Sequence, residues 1–174
     1  MKFLEYDRFI DKRETKRYDL TPILKNREAF RSLIEDLSAP FENVQISTIA
    51  GIESFGLILG AAVAYRLGKG FLPIRKGGKL ACIPEALDRI TLTDYSGIEK
   101  TLEIKRELIT PAERFLVIDE WIDTGAQVKA TINLIERNGG VIAGISTIGI
   151  EVNQTTEELM RKYLIKAIGI NPYG

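Results

Sequence analysis

The stretch FLVIDEWIDTGAQ, from Phe115 to Gln127, carries the strongest structural signal in this 174-residue chain. Four apolar residues predict a buried strand over 115–118, and the adjacent carboxylates of Asp119 and Glu120 stand at its carboxyl end. A short polar loop with a Thr-Gly pair then opens directly into a helical segment. In an open α/β sheet, ligands bind beyond the carboxyl ends of the strands, so the stretch predicts a parallel sheet with a binding site at this edge.

The loop in this stretch has the character of an anion site. Successive backbone N–H groups and the positive end of the helix dipole favour a phosphate group, and Gly125 lets the backbone approach it closely. On a regular strand Asp119 and Glu120 face opposite sides, so at most one of them points at a ligand unless the strand bends there. Paired carboxylates beside a phosphate suit sugar hydroxyls or a bridging Mg²⁺. A simpler interpretation stays open, in which the acids end a strand and Asp123 or Thr124 caps a helix.

Working outward, the chain repeats a strand, a glycine-containing turn and an amphipathic helix, which is the pattern of a parallel α/β sheet. The predicted elements are strands at 44–51, 71–75, 115–118, 141–152 and 166–170, and helices at 26–37, 55–67, 126–137 and 156–163. Pro73 favours a short or irregular second strand. Residues 76–114 alternate around a polar tip and predict a β-ribbon or mobile flap.

The amino-acid composition excludes several kinds of catalytic and metal site. The chain is 45% hydrophobic and 28% charged, which is typical of one globular domain. Cys82 is the single cysteine, so an intrachain disulfide and a multi-cysteine zinc site are excluded, and a cytoplasmic location is expected. The absence of histidine excludes Ser-His-Asp and Cys-His nucleophile systems. We expect no nucleic-acid or membrane partner, because 24 basic residues balance 24 acidic ones and no apolar run is long enough to cross a bilayer.

A basic run precedes the central stretch. From Ser54 to Pro84 there is no acidic residue, whereas five cationic residues are present: Arg66, Lys69, Arg75, Lys76 and Lys79. The last three lie beside two glycines and are the better candidates for binding an anion, while the first two suit the end of a helix. A solvated basic surface is the simpler alternative.

The order of apolar run, acid pair, Thr-Gly and helix resembles the signature for 5-phosphoribosyl 1-pyrophosphate in the type I phosphoribosyltransferases. Further segments fall in the order seen in adenine phosphoribosyltransferases: RYDLTP at 17–22, GIESFG at 51–56, PIRKGGKL at 73–80 and TLEI at 101–104. The resemblance implies an α/β fold with a Rossmann-like parallel sheet flanked by helices, a β-ribbon flap at about 76–114 and a small N-terminal hood. The hood would cover about 1–40 and the core about 41–174 of a single domain.

The implied reaction is the transfer of a phosphoribosyl group from phosphoribosyl pyrophosphate to a purine base, most plausibly adenine. It yields the nucleoside 5′-monophosphate and pyrophosphate, with Mg²⁺ carried by the substrate rather than by protein ligands. Catalysis of this kind depends on charged groups that are positioned around the substrate, and it needs no covalent nucleophile. The resemblance also implies a homodimer.

Residue roles follow from the same resemblance. Asp119 and Glu120 would hold the ribose hydroxyls, Glu120 and the flap residue Asp94 would be catalytic, and Asp94, followed by Tyr95, would handle the purine N7 proton. The 5-phosphate would lie in the loop formed by Asp123, Thr124, Gly125, Ala126 and Gln127. The pyrophosphate would be bound by Glu53, Ser54, Arg75, Lys76 and Lys79. The base would lie against Arg17, Tyr18 and Trp121, although Trp121 also suits a core or interface position.

Several residues depart from the family pattern. Phe55 stands where an arginine usually contacts pyrophosphate, and Ala126 and Gln127 replace the usual Gly and Thr of the phosphate loop. Glu120 replaces a more frequent Asp, and Asp94 replaces a more usual Glu. Two alternatives therefore remain: a non-catalytic module that binds phosphoribosyl pyrophosphate or a nucleotide, and a transferase for a different base.

Overall fold

A computed structural model describes residues 3–10, 19–93 and 99–171. The α-helices in these ranges are Phe3–Asp7 (α1), Thr21–Lys25 (α2), Arg27–Ser38 (α3), Phe55–Leu67 (α4), Ala126–Arg137 (α5) and Gln154–Lys162 (α6). The strands are Thr48–Ile52 (β1), Gly70–Lys76 (β2), Leu87–Thr93 (β3), Glu99–Lys105 (β4), Arg114–Ile122 (β5), Val141–Ile150 (β6) and Ile165–Ile170 (β7). Short 3₁₀ turns cover Ala39–Phe41, Pro84–Ala86 and Arg106–Leu108.

The strands form one seven-stranded sheet in the order β3-β4-β2-β1-β5-β6-β7. Strands β2, β1, β5, β6 and β7 are parallel, while β4 is antiparallel to both of its neighbours. Helices α4, α5 and α6 each connect two parallel strands. This mixed sheet with flanking helices confirms the predicted α/β class and brings the carboxyl ends of β1, β2, β5 and β6 to one edge.

Two hydrophobic clusters lie against the sheet. Leu116 and Ile118 of β5 pack into the cluster that includes residues of α3 and α4. Phe115 and Val117 pack into the cluster that includes residues of α5 and α6. The apolar run at 115–118 is continuous because this strand is buried on both faces. No helix in the described ranges combines the length and the apolar character needed to span a bilayer.

Three differences between the predicted and the observed strands bear on the site. β1 begins at Thr48, although the apolar pattern predicted a start at 44. β5 continues through Ile122, so the acid pair lies within the strand and not beyond it. The short or irregular strand expected from Pro73 is in fact seven residues long. Proline is tolerated there because β4 pairs with β2 only at Arg75 and Lys76, beyond the proline.

The predicted ribbon is the β3–β4 hairpin, and its base is fixed to the rest of the chain. Arg137 at the end of α5 contacts both oxygens of Asp88, at 2.5 and 2.7 Å. The buried carboxylate of Glu103 accepts hydrogen bonds from the Lys79 N–H and the Arg89 side chain. Residues 94–98, which join β3 to β4 in the sequence and include Asp94 and Tyr95, lie outside the described ranges. The division into hood, core and flap stays a prediction.

Candidate active site

The carboxyl edge of the parallel strands collects most of the residues that the sequence singled out. The Glu53-Ser54 turn follows β1, Arg75 and Lys76 end β2, and the acid pair lies near the end of β5. The loop at 123–125 joins β5 to α5. Arg17, Tyr18 and Asp94 lie outside the described residues, so their predicted roles stay predictions.

The acid pair converges on the first turn of α4. The Gly56 N–H donates to Glu120 Oε2 at 3.1 Å. A Cβ added at Gly56 would lie 2.8 Å from the Ile118 carbonyl oxygen and 3.6 Å from Asp119 Oδ1, so glycine is required for this close approach. Both carboxyl groups of the pair therefore face the same helix start.

A change in the direction of the side chains along β5 makes this convergence possible. In a regular strand Ile118 and Ile122 would face the same side, with Trp121 on the other. Instead Trp121 packs with Ile118 in one hydrophobic cluster, and Ile122 packs in the opposite cluster. The alternation of side chains between the two faces of the sheet is thus interrupted between Ile118 and Trp121. This interruption is the bend that allows both acids to face the start of α4.

The two acids differ in burial. The Asp119 residue is only 3% exposed, whereas Glu120 is half-buried. Burial, followed by the negative charge of Glu120, raises the pKa of Asp119 well above its ordinary value, and the positive charge of Lys76 opposes this shift. Lys76 is therefore a cation that acts electrostatically on Asp119.

The Glu53-Ser54 turn is held from β2. The peptide bond between these two residues is cis. Glu53 accepts hydrogen bonds from Arg75 Nε and from the Lys76 N–H, each at 2.9 Å. Burial alone would raise the pKa of Glu53, but these two hydrogen bonds and the nearby positive charges outweigh it and lower the pKa. Arg75 is thus paired with the turn itself.

The other two predicted pyrophosphate residues have different surroundings. Lys76 Nζ lies 3.3 Å from Ser54 Oγ, beside the turn. Lys79 is exposed, and its backbone N–H is fixed by Glu103 at 3.0 Å. Of these two lysines, Lys76 is therefore the one whose side chain contacts the turn.

The loop before α5 has the geometry expected of an anion site. Gly125 has a φ of +79°, which favours glycine, and Thr124 Oγ1 accepts from the Ala126 N–H at 3.3 Å. Asp123 and Thr124 are exposed, whereas Ala126 and Gln127 are half-buried. The loop thus presents its polar residues at the sheet edge and begins α5 immediately behind them.

Sequence reasoning missed two residues beside this loop, of which Asn153 supports it through a hydrogen bond. Asn153 caps α6 and donates from Nδ2 to the Asp123 carbonyl oxygen at 2.7 Å. Glu151 lies near Asp123, and burial followed by the charge of Asp123 raises the pKa of Glu151. An Asn-x-x-Thr capping pattern at 153–156 was the available sequence signal, because such a box marks a helix start after β6.

Two aromatic residues near the site, Trp121 and Phe55, pack on the face of the sheet that α3 and α4 cover. The Trp121 ring contacts Phe3 of α1 edge to face, with centroids 6.2 Å apart, and it covers Gly149. Phe55 packs against the same cluster at the start of α4. These contacts agree with the alternative in which Trp121 takes a core or interface position. Stacking of the base on Trp121 stays a prediction.

Comparison with known proteins identifies the family. No protein-family model matches the chain. The adenine phosphoribosyltransferase of Alkaliphilus metalliredigens is 36% identical over 151 residues, which cover 86% of this chain and 86% of that protein. The chain belongs to the adenine phosphoribosyltransferase family. It is thus a phosphoribosyltransferase of the glycosyltransferase class.

Solved structures of adenine phosphoribosyltransferases share this fold. The crystal structure of the enzyme from Rhodothermus marinus is 31% identical, has a TM-score of 0.84, and the match covers 97% of each chain. The structure of the enzyme from Giardia lamblia, complexed with 9-deazaadenine, is 26% identical with a TM-score of 0.83 and 98% coverage of each chain. The resemblance seen in the sequence to the type I phosphoribosyltransferase fold is confirmed over nearly the whole chain.

Proposed function

We propose that this protein transfers the phosphoribosyl group of 5-phosphoribosyl 1-pyrophosphate to adenine, giving AMP and pyrophosphate. The observation that carries the proposal is the convergence of Asp119 and Glu120 on the α4 start, between the Lys76-Ser54 contact and the loop before α5. Such a site offers carboxylate oxygens that accept hydrogen bonds from sugar hydroxyls, and it lies between two regions suited to anions. Family membership and the 9-deazaadenine bound by the Giardia lamblia relative support a purine as the acceptor.

In this reaction the bond between ribose C1′ and the pyrophosphate oxygen breaks, and a bond from C1′ to a base nitrogen forms. Positive charge develops on the sugar and negative charge on the leaving pyrophosphate, so fixed charges around them lower the barrier. We assign the ribose hydroxyls to Asp119 and Glu120, and the 5-phosphate to the loop at 123–127. The pyrophosphate is assigned to Ser54 and Lys76, with Arg75 orienting Glu53. The proton lost by the base is assigned to Asp94 of the flap tip.

Mg²⁺ bound to pyrophosphate would neutralise charge on the leaving group. Across the described residues, no three His, Cys, Asp or Glu side chains group together as metal ligands. The carboxylate oxygens of the acid pair nevertheless fit a hydrated Mg²⁺, because this ion keeps several water molecules and is commonly held by one or two carboxylates and substrate phosphates. The residues at this edge therefore suit an ion that arrives with the substrate.

The proposal is tested by measuring pyrophosphate release from phosphoribosyl pyrophosphate with Mg²⁺ in the presence of adenine, guanine, hypoxanthine, xanthine, orotate or uracil. A reaction without base is the control. Stimulation by adenine alone is the expected result, and the Asp119→Ala/Glu120→Ala variant should lose it while keeping its fold. Stimulation by another base instead would show that this base, and not adenine, is the acceptor.

A second candidate function is a binding module that has lost transfer. The packing of Phe55 into the core and the pairing of Arg75 with Glu53 favour it, because both reduce the cationic groups available to the leaving group. Binding of phosphoribosyl pyrophosphate without release by any base would support this alternative.

We also propose a homodimer, formed through α4, in the cytoplasm. One face of α4 packs inward through Leu59 and Val63, whereas Ile58 and Tyr65 on another face are 47% and 92% exposed. An apolar helix face of this kind is typical of an interface. The single cysteine supports a reducing compartment.

A further inference from the structure

The contact between Glu120 and Gly56 joins a residue that the proposed function assigns to the ribose with the helix start that follows the turn assigned to pyrophosphate. Glu120 belongs to the ribose site, whereas Gly56 lies in the first turn of α4, directly after the turn assigned to pyrophosphate. Amide groups in the first turn of a helix lack intrahelical acceptors and favour an anion. Here the anion is the Glu120 side chain, whose Oε2 lies 3.1 Å from the Gly56 nitrogen.

We propose that Glu120 occupies part of the pyrophosphate site in the ligand-free protein and leaves it when substrate binds, an inference that rests on the proposed function. The incoming diphosphate takes the Gly56 N–H, and the released carboxylate turns to the ribose hydroxyls. Glu120 thereby couples occupation of the pyrophosphate site to recognition of the sugar.

Three features of the chain carry this inference. Glutamate is one methylene longer than aspartate, and here its carboxylate reaches the Gly56 N–H. The Ser54 side chain forms no cap for α4, so Glu120 rather than Ser54 supplies the side-chain acceptor in its first turn. Asp119 is buried and Glu120 is half-buried, so Glu120 is the acid of the pair with room to move.

Inorganic pyrophosphate separates the two roles of Glu120, because it contains no ribose. We would measure its binding in excess Mg²⁺ by calorimetry for the natural protein and for Glu120→Asp. The shorter aspartate keeps the charge but loses the contact with Gly56, so pyrophosphate has no internal competitor. We expect Glu120→Asp to bind pyrophosphate about tenfold more tightly, as one charge-assisted hydrogen bond no longer has to be displaced.

Glu151→Gln is the matched control, because it removes a carboxyl group near the loop at 123–125 without touching Gly56. It should change pyrophosphate affinity less than twofold if the Gly56 contact, rather than general repulsion, is responsible. Unchanged or weaker binding by Glu120→Asp would overturn the proposal, and weaker binding would point to Glu120 as a partner of the Mg²⁺ complex. An equal gain in Glu151→Gln would also overturn it.

A second measurement does not rely on the affinity of a variant. The Gly56 amide resonance in the natural protein should shift when pyrophosphate is added, and it should differ between the free natural protein and free Glu120→Asp. An amide resonance that is the same in both free proteins would overturn the proposal. Failure of the natural protein to bind phosphoribosyl pyrophosphate or to use any base would instead refute the proposed function, so the two failures are distinguishable.

Discussion

At the scale of single residues, Phe55 separates this chain from the pattern that its family resemblance implies. Its ring packs against the core cluster at the start of α4, one residue from the Gly56 amide. We expect Phe55→Arg to lower the KM for phosphoribosyl pyrophosphate about fivefold, because a guanidinium adds a charge-assisted contact to the leaving group. It should also lower the free energy of unfolding by about 2 kcal/mol through lost apolar burial.

Steady-state kinetics and urea unfolding check both effects of Phe55→Arg. Phe55→Leu is the control, since it shortens the side chain without adding charge and should leave the KM unchanged. An arginine variant that loses stability with no change in KM would show that this position does not face the pyrophosphate.

Asp119 gives a second prediction, because burial and the charge of Glu120 raise its pKa. The folded protein then keeps the Asp119 proton at pH values where the unfolded chain has released it. The free energy of unfolding therefore falls as the pH rises from the ordinary pKa, about 3.9, through the raised folded pKa. Asp119→Asn should remove this loss, so the variant should be more stable than the natural protein at pH 8, yet nearly equal at pH 4.

Urea unfolding at several pH values measures this difference, which amounts to about 1.4 kcal/mol for each unit of pKa shift. Asp88→Asn is the control with the opposite sign. Burial would raise the pKa of Asp88, but hydrogen bonds from Arg137 and Asn138 outweigh it and lower the pKa. This control should therefore lose stability at pH 8. A natural protein whose stability rises relative to Asp119→Asn between pH 5 and 8 would contradict the prediction.

The acid pair also shows which features of a site can be predicted from sequence. The residue types and the strand-loop-helix order were enough to predict a binding edge. The bend between Ile118 and Trp121 was not predictable, because it depends on packing against opposite clusters and on the approach of Gly56 from α4. The support given by Asn153 comes from another loop, and only the fold brings it to Asp123.

At the scale of elements, α5 contains a buried polar atom with a testable cost. In the described part of the chain, Thr131 Oγ1 is buried without a hydrogen-bond partner. A buried, unsatisfied hydroxyl costs about 1 to 3 kcal/mol. We expect Thr131→Val, which replaces the hydroxyl with a methyl group of similar size, to raise the free energy of unfolding by about 1 kcal/mol.

Thermal and urea unfolding would check this expectation. Thr131→Ser is the matched control, because it keeps the hydroxyl and removes the methyl group, and it should be less stable than the natural protein. If Thr131→Val were also destabilising, the hydroxyl must have a partner in solution. Activity should change little in either variant, since Thr131 faces the core rather than the site edge.

The short helices α1 and α2 were not predicted, but the longer helices were predicted more accurately than the strands, for a local reason. Helices α4 and α5 match the predicted bounds at both ends. Gly68 follows α4 with a φ of +63°, a conformation that glycine favours and that ends a helix. No comparable local signal sets the start of β1, because the length of a strand depends on its neighbours in the sheet. Residues 44–47, in which Val44 and Ile46 alternate with polar residues, therefore resembled strand in sequence but lie before it.

At the scale of the whole molecule, the strand order was not predictable from periodicity alone. The sequence indicated parallel strand-helix units, but it did not show that β1 lies between β2 and β5. That order places the turn after β1 beside both Lys76 and the acid pair, and so it assembles the candidate site. The family resemblance implied a Rossmann-like parallel sheet but gave no strand order either, so the order is a finding of the structure.

The apolar face of α4 carries the last prediction, because it lies outside the packing of the single chain. Ile58 and Tyr65 are seven positions apart and therefore lie on one side of this helix, away from Leu59 and Val63. A two-fold interface through this side would bury the same surface on both copies. We expect sedimentation at micromolar concentration to give the mass of two chains, and Ile58→Glu/Tyr65→Glu to give the mass of one. Leu108→Glu is the control, because Leu108 is 52% exposed but lies in the turn after β4. A natural protein that sediments as one chain would refute the dimer, whereas a glutamate variant that remains a dimer would move the interface to another face.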